Sequence, residues 1–382
     1  MATTGTLINN TDTEWIGVIH SQAPKFFKGY ADETIRNRIV LAYLRKHGRI
    51  LLNANSPMCV WNVKYDQQPI ESAGDAGSLV FNRHDLQRQL AVNWRGYVGT
   101  DSASEKEILM NKGPGQILNR YSETIPSLTE AITDHFSDEL FIDGEAAGNT
   151  NRIHGLNTFL KFNTGGMAAS DLVAAPNATY AGQSCVLGNE GGTWSTDLAS
   201  ADRPNAGLAN DWPNGSGPIK YDFVSPLGIN WSANSWGTSL QTWEANCERA
   251  IRQGIIWQTN RGGQKGRPKL CLLSTDLYTG YANSQISKQR IVVPHKESED
   301  LGFSDTLNQE GVAIRYDYSV PANTGYMLAP EMMELASLDK VLFGYRGPDF
   351  SIKDRAWLFY VGFWGNAKYR PKHFAMLKNF KA

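Results

Sequence analysis

The stretch of sequence that decides most about the fold is residues 114–141, PGQILNRYSETIPSLTEAITDHFSDELF. Its large apolar residues are three or four positions apart, and they are Ile117, Tyr121, Ile125, Leu128, Ile132, Phe136 and Leu140. This period is that of one face of an α-helix, so the spacing predicts a single helix over the whole stretch. Pro126 should kink or slightly unwind it because proline lacks a backbone donor. At 1.5 Å per residue the helix would be about 40 Å long, which is unusual for a globular protein.

The opposite face of this predicted helix is acidic. Its carboxylates are Glu123, Glu130, Asp134 and Asp138. Residues 119–145 contain seven acids and one arginine, whereas residues 340–382 contain nine Lys or Arg and two acids. Carboxylates one helical turn apart repel each other unless a cation compensates them. We therefore expect Glu130 and Asp134 to contact the basic 340–382 region, in the same copy or in a neighbouring one.

Ahead of the long helix the sequence predicts an arm, a short helix and a long β-hairpin. Residues 1–24 show no periodicity and are interpreted as an extended arm. The short helix that follows has Asp32 as its N-cap and Gly48 where a glycine commonly ends a helix.

Two stretches of alternating residues predict the strands of the hairpin. They are residues 58–65 and 90–98, joined by a mostly polar tip at 66–85. An isolated two-stranded ribbon is at best marginally stable in water. The ribbon should therefore rest on another surface, with Trp61 and Trp94 among its packing groups.

The composition changes after the long helix. Residues 144–236 contain 13 Gly and 11 Asn but only 11 charged residues, which is typical of an inserted region of turns and short strands. An α/β segment follows, with a helix at 240–255, a basic turn at 260–269, a buried strand at 270–273 and a helix capped by Ser274 or Thr275. The remaining predicted strands are 312–318, 325–328, 340–343, 357–363 and 374–377.

Length and charge exclude several classes of protein. The chain has 382 residues and a formal net charge of −1, which favours two or three domains, or one with large insertions, and argues against a surface devoted wholly to nucleic acid. No run approaches the roughly 20 apolar residues of a membrane helix, so we expect no membrane partner. We also expect no secretory signal in the first 24 residues. The four scattered cysteines are interpreted as buried or free thiols.

No motif for catalysis or for cofactor binding is recognisable. Residues 262–266, GGQKG, resemble a phosphate loop only superficially, because they lack its spacing and the Ser or Thr after the lysine. The seven histidines form no metal-binding pair. We expect no catalytic residue, metal or cofactor. Two alternatives stay open, hydrolysis by the carboxylates of the long helix and carbohydrate binding by the tryptophans of the Asn- and Gly-rich region, which are Trp194, Trp212, Trp231 and Trp236.

The order of these elements resembles one family. A short arm and helix, a long two-stranded loop, a long helix, an inserted α/β domain and terminal strands are similar to the major capsid proteins of tailed bacteriophages, which have the Hong Kong-97-like fold. The most specific local matches are IHGL at 153–156, the strand and helix at 270–284, VPANTGYML at 320–328, and the ending 365–380 with RPKH at 370–373. The resemblance covers nearly the whole chain.

The resemblance implies an α+β, Hong Kong-97-like capsid fold in five parts. They are an N-terminal arm and helix (1–57), an extended β-hairpin loop, the E-loop (58–100), a spine helix of the peripheral domain (101–145), an axial domain with a loop-rich insertion (146–311) and terminal strands that are mainly peripheral (312–382). Family members are not enzymes. Some form a self-catalysed Lys-to-Asn crosslink, but neither Lys64 nor any other lysine here aligns with that motif.

The implied function is self-assembly of many copies, as hexamers and pentamers, into an icosahedral shell around a double-stranded DNA genome. Such a protein is made in the host bacterial cytoplasm, resides in the virion capsid, touches packaged DNA nonspecifically, and has separate scaffold, portal and decoration proteins as partners. Encapsulins, which enclose cargo enzymes, share the fold and remain an alternative. Contacts between copies are expected at Trp61, Trp94, Glu130, Asp134, Arg261, Lys265, Arg267 and Lys269.

Overall fold

The computed structural model of the protein describes residues 38–68, 70, 81–110, 120–163, 167, 169–186, 222–237, 241–286 and 307–380. Its helices are α1 (Ile39–Lys46), α2 (Glu105–Met110), α3 (Arg120–Glu139), α4 (Trp243–Gly262) and α5 (Thr275–Ile286). Its strands are β1 (Ile50–Leu51), β2 (Cys59–Lys64), β3 (Gln87–Val92), β4 (Arg95–Ser104), β5 (Phe162–Asn163), β6 (Val173–Pro176), β7 (Thr179–Tyr180), β8 (Gln183–Ser184), β9 (Leu227–Asn230), β10 (Leu270–Leu273), β11 (Leu307–Gln309), β12 (Val312–Tyr316), β13 (Thr324–Leu328), β14 (Met333–Ser337), β15 (Gly344–Ser351), β16 (Ala356–Tyr369) and β17 (Ala375–Lys378). The fold is a mixed α+β one, as the sequence predicts.

A five-stranded sheet is built around the long strand β16. This strand pairs antiparallel with β4, β14 and β15, and β1 adds parallel to β14. Helix α3 packs across one face of the sheet. There the rings of Phe136 and Phe363 have centroids 4.9 Å apart, and Tyr97 of β4 lies against both. The regularly spaced apolar residues of the long helix thus mark the face that contacts the sheet.

The second sheet has eight strands in the order β11-β12-β10-β13-β17-β9-β6-β5. At strand β10 the sheet is buried on both faces, because all four residues of this strand are 0% exposed. Cys271 and Leu273 belong to the apolar cluster formed with α4 and α5, whereas Leu270 and Leu272 belong to the cluster that includes the end of α3. The uniformly apolar run at 270–273 is explained by this double burial.

Two short connections join the sheets. Residues 329–332 lead from β13 to β14, and residues 370–374 lead from β16 to β17. The terminal region predicted at 312–382 therefore contributes strands to both sheets. None of the helices in the described ranges is long and apolar enough to cross a membrane.

Several predicted elements are confirmed. The long helix is present with Pro126 inside it, and its described part begins at Arg120, since residues 111–119 lie outside the described ranges. Gly48 follows α1 with φ +62°, the left-handed conformation that glycine adopts at the end of a helix. The predicted N-cap Asp32 and the arm at 1–24 lie outside the described residues.

Other boundaries are corrected by the structure. The strand predicted at 90–98 ends at Val92, and β4 begins at Arg95 in a different sheet. Residues 340–343 form no strand, because Leu342 and Phe343 enter the core from a bend before β15. The helix predicted at 240–255 starts at Trp243 and runs on to Gly262, into the predicted basic turn.

Candidate assembly surfaces

The hairpin is a regular ribbon whose base rests on its own chain. β2 and β3 pair antiparallel from Cys59 with Val92 to Lys64 with Gln87. The side of the ribbon that faces the chain carries Trp61, whose ring centroid is 6.0 Å from that of Tyr180. It also carries Tyr65, packed 5.6 Å from Phe223. The ribbon therefore does not lack a surface at its base.

Tyr180 is a fixed support for Trp61. Its hydroxyl donates to the carbonyl of Ala367 and accepts from the amide of Tyr369, both at 3.1 Å. Burial raises the pKa of Tyr180 well above its ordinary value, so the phenol stays protonated as this arrangement requires. Because Ala367 and Tyr369 lie on β16, the ribbon base is tied to the centre of the five-stranded sheet.

Trp94 stands at the two-residue break between β3 and β4. Its indole Nε1 donates to the carbonyl of Ser56 at 2.8 Å. The bond closes the base of the hairpin and explains why the predicted strand 90–98 divides here. Trp61 and Trp94 thus both make contacts within the chain, and their predicted contact with another copy stays a prediction.

The far end of the ribbon is a different environment. Ile70 is 96% exposed and Phe81 is 88% exposed, more than any other large apolar residue in the described ranges. Both side chains are therefore available for contact with another surface.

Two carboxylates on the acidic face of α3 are paired inside the chain. Arg38, just before α1, places its Nε 2.5 Å from Oδ1 of Asp134 and its Nη2 3.1 Å from Oε1 of Glu130. Arg38 is thus a cation that compensates both carboxylates within one subunit, and their predicted contact with residues 340–382 of the same or a neighbouring copy stays a prediction. No sequence pattern could indicate the contact with Arg38, since Arg38 lies 92 positions from Glu130 and 96 from Asp134.

A second carboxylate pair lies beside this one. Ser319 donates its hydroxyl to Asp138 at 2.6 Å and its amide to Asp317 at 3.0 Å. Asp317 also accepts the amide of Ile39 at the start of α1. Burial raises the pKa of Asp317 to about 6, and the nearby charge of Asp138 adds to the increase. Residues 38 and 39 are therefore held by carboxylates from two directions.

The structure places the four cations of the predicted basic turn in different environments. Arg261 is not on the surface, since its side chain is 4% exposed, and it lies at the end of α4 with its Nε 3.1 Å from Asp222. Lys372 reaches the same carboxylate at 2.8 Å. Burial alone would raise the pKa of Asp222, but the two cations outweigh it and hold the pKa below its ordinary value. Arg261 is thus corrected from a surface contact to part of a buried ion cluster.

The other three residues of the turn have separate environments. Arg267 donates to the carbonyl of Glu310, and Lys269 lies 2.5 Å from Glu331. Lys265 is exposed. Because Glu331 belongs to one connection between the sheets and Lys372 to the other, most of this cationic region joins the two halves of the chain.

His373 fixes the shape of the same region. Its ring lies beside Gly262 and Gly266, and a Cβ atom at either position would collide with Nδ1. Burial lowers the pKa of His373 to about 4, with Lys372 and Arg261 contributing in the same direction, so the ring is neutral near pH 7. The motif RPKH at 370–373 is therefore a packing feature of the connection.

The motif at 153–156 is also explained by close packing. Gly155 has no room for a side chain, since a Cβ atom would lie 2.5 Å from the carbonyl oxygen of Ile142. Next to it, the carboxylate of Glu139 accepts the hydroxyl of Tyr97 at 2.7 Å and is paired with Arg152. This network fixes the end of α3 to β4.

The outer face of the five-stranded sheet is apolar and open. Val98, Leu358 and Trp364 point away from α3 and are 50%, 41% and 45% exposed. The ring of Trp364 lies flat over Gly96, where a Cβ atom would come within 2.6 Å of it. Among the residues that the structure describes, no group of His, Cys, Asp or Glu could hold a metal ion.

Two solved structures that this chain resembles contain phage capsid subunits. A chain of the cyanophage A-1(L) capsid asymmetric unit matches with a TM-score of 0.55 and 14% identity, over 93% of this chain and 96% of that chain. A chain of the capsid of Myoviridae phage XM1 matches with a TM-score of 0.50 and 10% identity, over 92% and 95%. The chain has a phage capsid fold.

Other comparisons add less. A chain of the SrpI encapsulin complex from Synechococcus elongatus PCC 7942 matches with a TM-score of 0.48 and 9% identity, over 94% of both chains. No protein-family model matches the sequence, and no curated protein sequence matches it.

Within this capsid fold the sequence reasoning missed three residues that position others. Arg38 pairs with the long helix, Asp222 holds two buried cations, and Asp317 accepts the first amide of α1. Each acts on residues distant in sequence, so periodicity and spacing carry no trace of the pairing. A weak signal existed for Asp222, which is one of only 11 charged residues in the region 144–236.

Proposed function

We propose that the protein is the major capsid protein of a tailed bacteriophage, which assembles in many copies into an icosahedral shell around double-stranded DNA. The observation that carries the proposal is the likeness to a phage capsid subunit along almost the whole length of both chains. Because this likeness extends over 93% of the chain, we assign the protein a structural role without enzymatic activity.

We assign the parts of the capsid subunit from the two sheets. The five-stranded sheet with α3 is the peripheral domain, and α3 is its spine helix. The eight-stranded sheet with α4 and α5 is the axial domain, and it takes β12, β13 and β17 from the terminal region. The ribbon of β2 and β3 is the E-loop. Residues 1–57 remain the N-terminal arm and helix, of which α1 is held against α3 by Arg38.

The end of the E-loop is the part that we expect to lie on a neighbouring subunit. Its support is the exposure of Ile70 and Phe81, while the base of the ribbon is already packed on Tyr180 and Phe223. Deletion of residues 67–84, with an Asn-Gly turn to close the ribbon, should leave the subunit folded by circular dichroism but abolish closed shells. Normal particles from this variant would remove the E-loop assignment.

The partners follow from the shell. Copies of the chain form hexamers and pentamers, and Lys265, Arg267 and Lys269 stay candidates for contacts between them. Glu130 and Asp134 can serve there only together with Arg38, since that pair already exists in one subunit. Separate scaffold, portal and decoration proteins, nonspecific contact with packaged DNA, and synthesis in the host bacterial cytoplasm complete the proposal.

The direct test is the size and content of the purified particle. The protein should elute as a megadalton assembly and show closed shells by negative-stain electron microscopy. Shells purified from an infection should contain nuclease-protected DNA. Shells with an enclosed enzyme and no DNA would establish an encapsulin instead. A small oligomer would overturn the proposal and would favour the hydrolytic or the carbohydrate-binding alternative instead.

A further inference from the structure

A cavity opens on the face of the eight-stranded sheet that lies towards the end of α3. Its volume is about 470 Å³, which is within the range of sites that hold a small molecule. Strands β13 and β17 form its floor, because Thr324 lies opposite Lys378 and Tyr326 lies opposite Met376, and all four line the cavity. These residues belong to none of the candidate assembly surfaces.

One wall of the cavity is aromatic. The ring of Phe162 on β5 reaches across to Gly228 of β9, where a Cβ atom would come within 2.6 Å of the ring. Phe380 packs edge-to-face against Phe162, with ring centroids 5.1 Å apart. Phe380 is buried, whereas Phe162 is only half-buried. The cavity therefore offers the held ring of Phe162 to a planar apolar group.

One polar group of the cavity is held in a single orientation. The hydroxyl of Tyr326 donates to Oδ1 of Asn157 at 2.7 Å. Burial raises the pKa of Tyr326 above its ordinary value, so the phenol stays protonated and keeps its role as the donor. Asn157 lines the cavity, and its Nδ2 has no acceptor among the described residues. A ligand group that accepts a hydrogen bond therefore fits beside Asn157.

The charge of the cavity is positive. Its described lining contains one acid, Asp143, and two lysines, Lys161 and Lys378. Asp143 is already engaged, since its Oδ2 pairs with Lys161 and its Oδ1 accepts the amide of Glu145 at 3.1 Å. Lys378 is exposed, and no carboxylate of the described ranges lies within ion-pair distance of it. One cation of the cavity is therefore uncompensated, which favours an anionic ligand.

Together these groups define a class of ligand. The ligand needs an anionic group for Lys378, a planar ring for Phe162 and a hydrogen-bond acceptor for Asn157. A nucleotide has all of them, because its phosphate is anionic, its base stacks on aromatic side chains, and every base carries acceptors on its edge. A neutral sugar would leave Lys378 uncompensated.

The orientation of Asn157 also limits how a base is recognised. An asparagine distinguishes adenine by using its amide nitrogen and its oxygen together. Here the oxygen is bound to Tyr326, so only the nitrogen is available. We therefore expect the cavity to recognise a nucleotide without a preference for adenine.

We propose that this cavity binds a single nucleotide, with its phosphate at Lys378, its base against Phe162 and an acceptor of the base at Nδ2 of Asn157. The nucleotide is either free in solution or the unpaired end of a DNA strand, since both present the same chemistry. The inference does not rest on the proposed function, because all of these groups belong to one subunit.

Isothermal titration calorimetry of the full-length protein with dTMP tests the site. The affinity for dTMP should be at least about tenfold higher than for thymidine, which lacks the phosphate, and than for inorganic phosphate, which lacks the base. Absence of dTMP binding, or equal affinity for dTMP and either control, would overturn the proposal. A 5′-phosphorylated oligothymidine that binds at least as tightly as dTMP identifies a strand end as the ligand, whereas binding of dTMP alone identifies the free nucleotide.

Two substitutions test the assigned contacts against a matched control. Asn157→Asp keeps an oxygen for Tyr326 but replaces the donor with a negative charge, and Lys378→Ala removes the cation, so each should lower the affinity for dTMP at least about tenfold. Lys353→Ala changes an exposed lysine in the turn between β15 and β16 and should bind dTMP as the unmodified protein does. Unchanged affinity in both cavity variants would overturn the proposal. If Asn157→Asp fails to fold by thermal unfolding, Lys378→Ala decides the question, because its side chain is exposed.

Discussion

The two sheets differ in how completely this chain covers them. The eight-stranded sheet has α4 and α5 on one face and the apolar cluster at the end of α3 on the other. The five-stranded sheet has α3 on one face, while its outer face leaves Val98, Leu358 and Trp364 open. The exposed end of the ribbon belongs to that same half.

This difference predicts which half of the subunit mainly determines its folding stability and which half mainly determines assembly. Apolar burial is the main favourable contribution to folding, and the eight-stranded half achieves it without a neighbour. The five-stranded half keeps apolar area exposed, which is costly for an isolated subunit unless a partner covers it. Substitutions in the first half should therefore lower subunit stability, and substitutions on the exposed surfaces of the second should lower assembly.

The largest effect on the self-contained half is expected at Asp222. Asp222→Asn removes the charge that compensates Arg261 and Lys372, and uncompensated buried charges cost about 3–5 kcal/mol. Urea unfolding of the subunit at pH 7 measures the change. The control is Glu331→Gln, which breaks the more exposed pair with Lys269 and should cost about 1 kcal/mol or less. Equal losses in the two variants would contradict the burial argument.

A matched pair of leucines sharpens the comparison between the sheets. Leu272→Ala creates a cavity between two buried layers and should destabilise the subunit by about 2–5 kcal/mol. Leu358→Ala, on the open face, should change subunit stability by about 0.5 kcal/mol or less yet lower the yield of shells. A Leu358→Ala subunit as unstable as Leu272→Ala would show that the outer face is already covered within one copy.

A smaller, pH-dependent effect is expected at Asp317, between α1 and α3. Its folded-state pKa of about 6 is above the value of about 3.9 for an unfolded chain. The folded state therefore binds the proton more tightly, and this carboxyl stabilises the fold increasingly as the pH falls from about 6 to 4. At pH 7 the ionised carboxylate is held at a cost of about 1–3 kcal/mol.

The test compares Asp317→Asn with the unmodified subunit at several pH values. The variant should be the more stable protein at pH 7, and the difference should shrink as the pH approaches 4.5. Urea midpoints measured at pH 7, 6, 5 and 4.5 give the two curves. Curves that stay parallel across this range would show that Asp317 does not titrate there.

The helix of the five-stranded half and the ribbon could be predicted from sequence because each has one buried face. An element with one buried face carries apolar residues at a regular spacing in the sequence. This spacing is three or four residues in α3 and two residues in β2. Strand β14 was missed for the opposite reason. Its sequence MELAS contains no β-branched or aromatic residue, and pairing with β1 and β16 overrides its propensity.

The surfaces were harder to predict than the elements. Charge alone could not distinguish the buried Arg261 from the exposed Lys265, because burial depends on Asp222 and Lys372, which lie far away in sequence. Charge therefore predicts a surface location for all four cations of the turn, and Arg261 departs from it.

The contact of His373 with Gly262 and Gly266 has a consequence for the history of this sequence. Any substitution that adds a Cβ atom at either glycine requires a smaller residue at position 373, so the three positions should change together among homologues. The two phage capsid subunits described above that share this fold are only 14% and 10% identical to this chain over nearly their full length, too little for a reliable pairwise alignment. A covarying triplet is a more durable marker of common descent than overall identity, and it would anchor alignments at the junction of the two sheets.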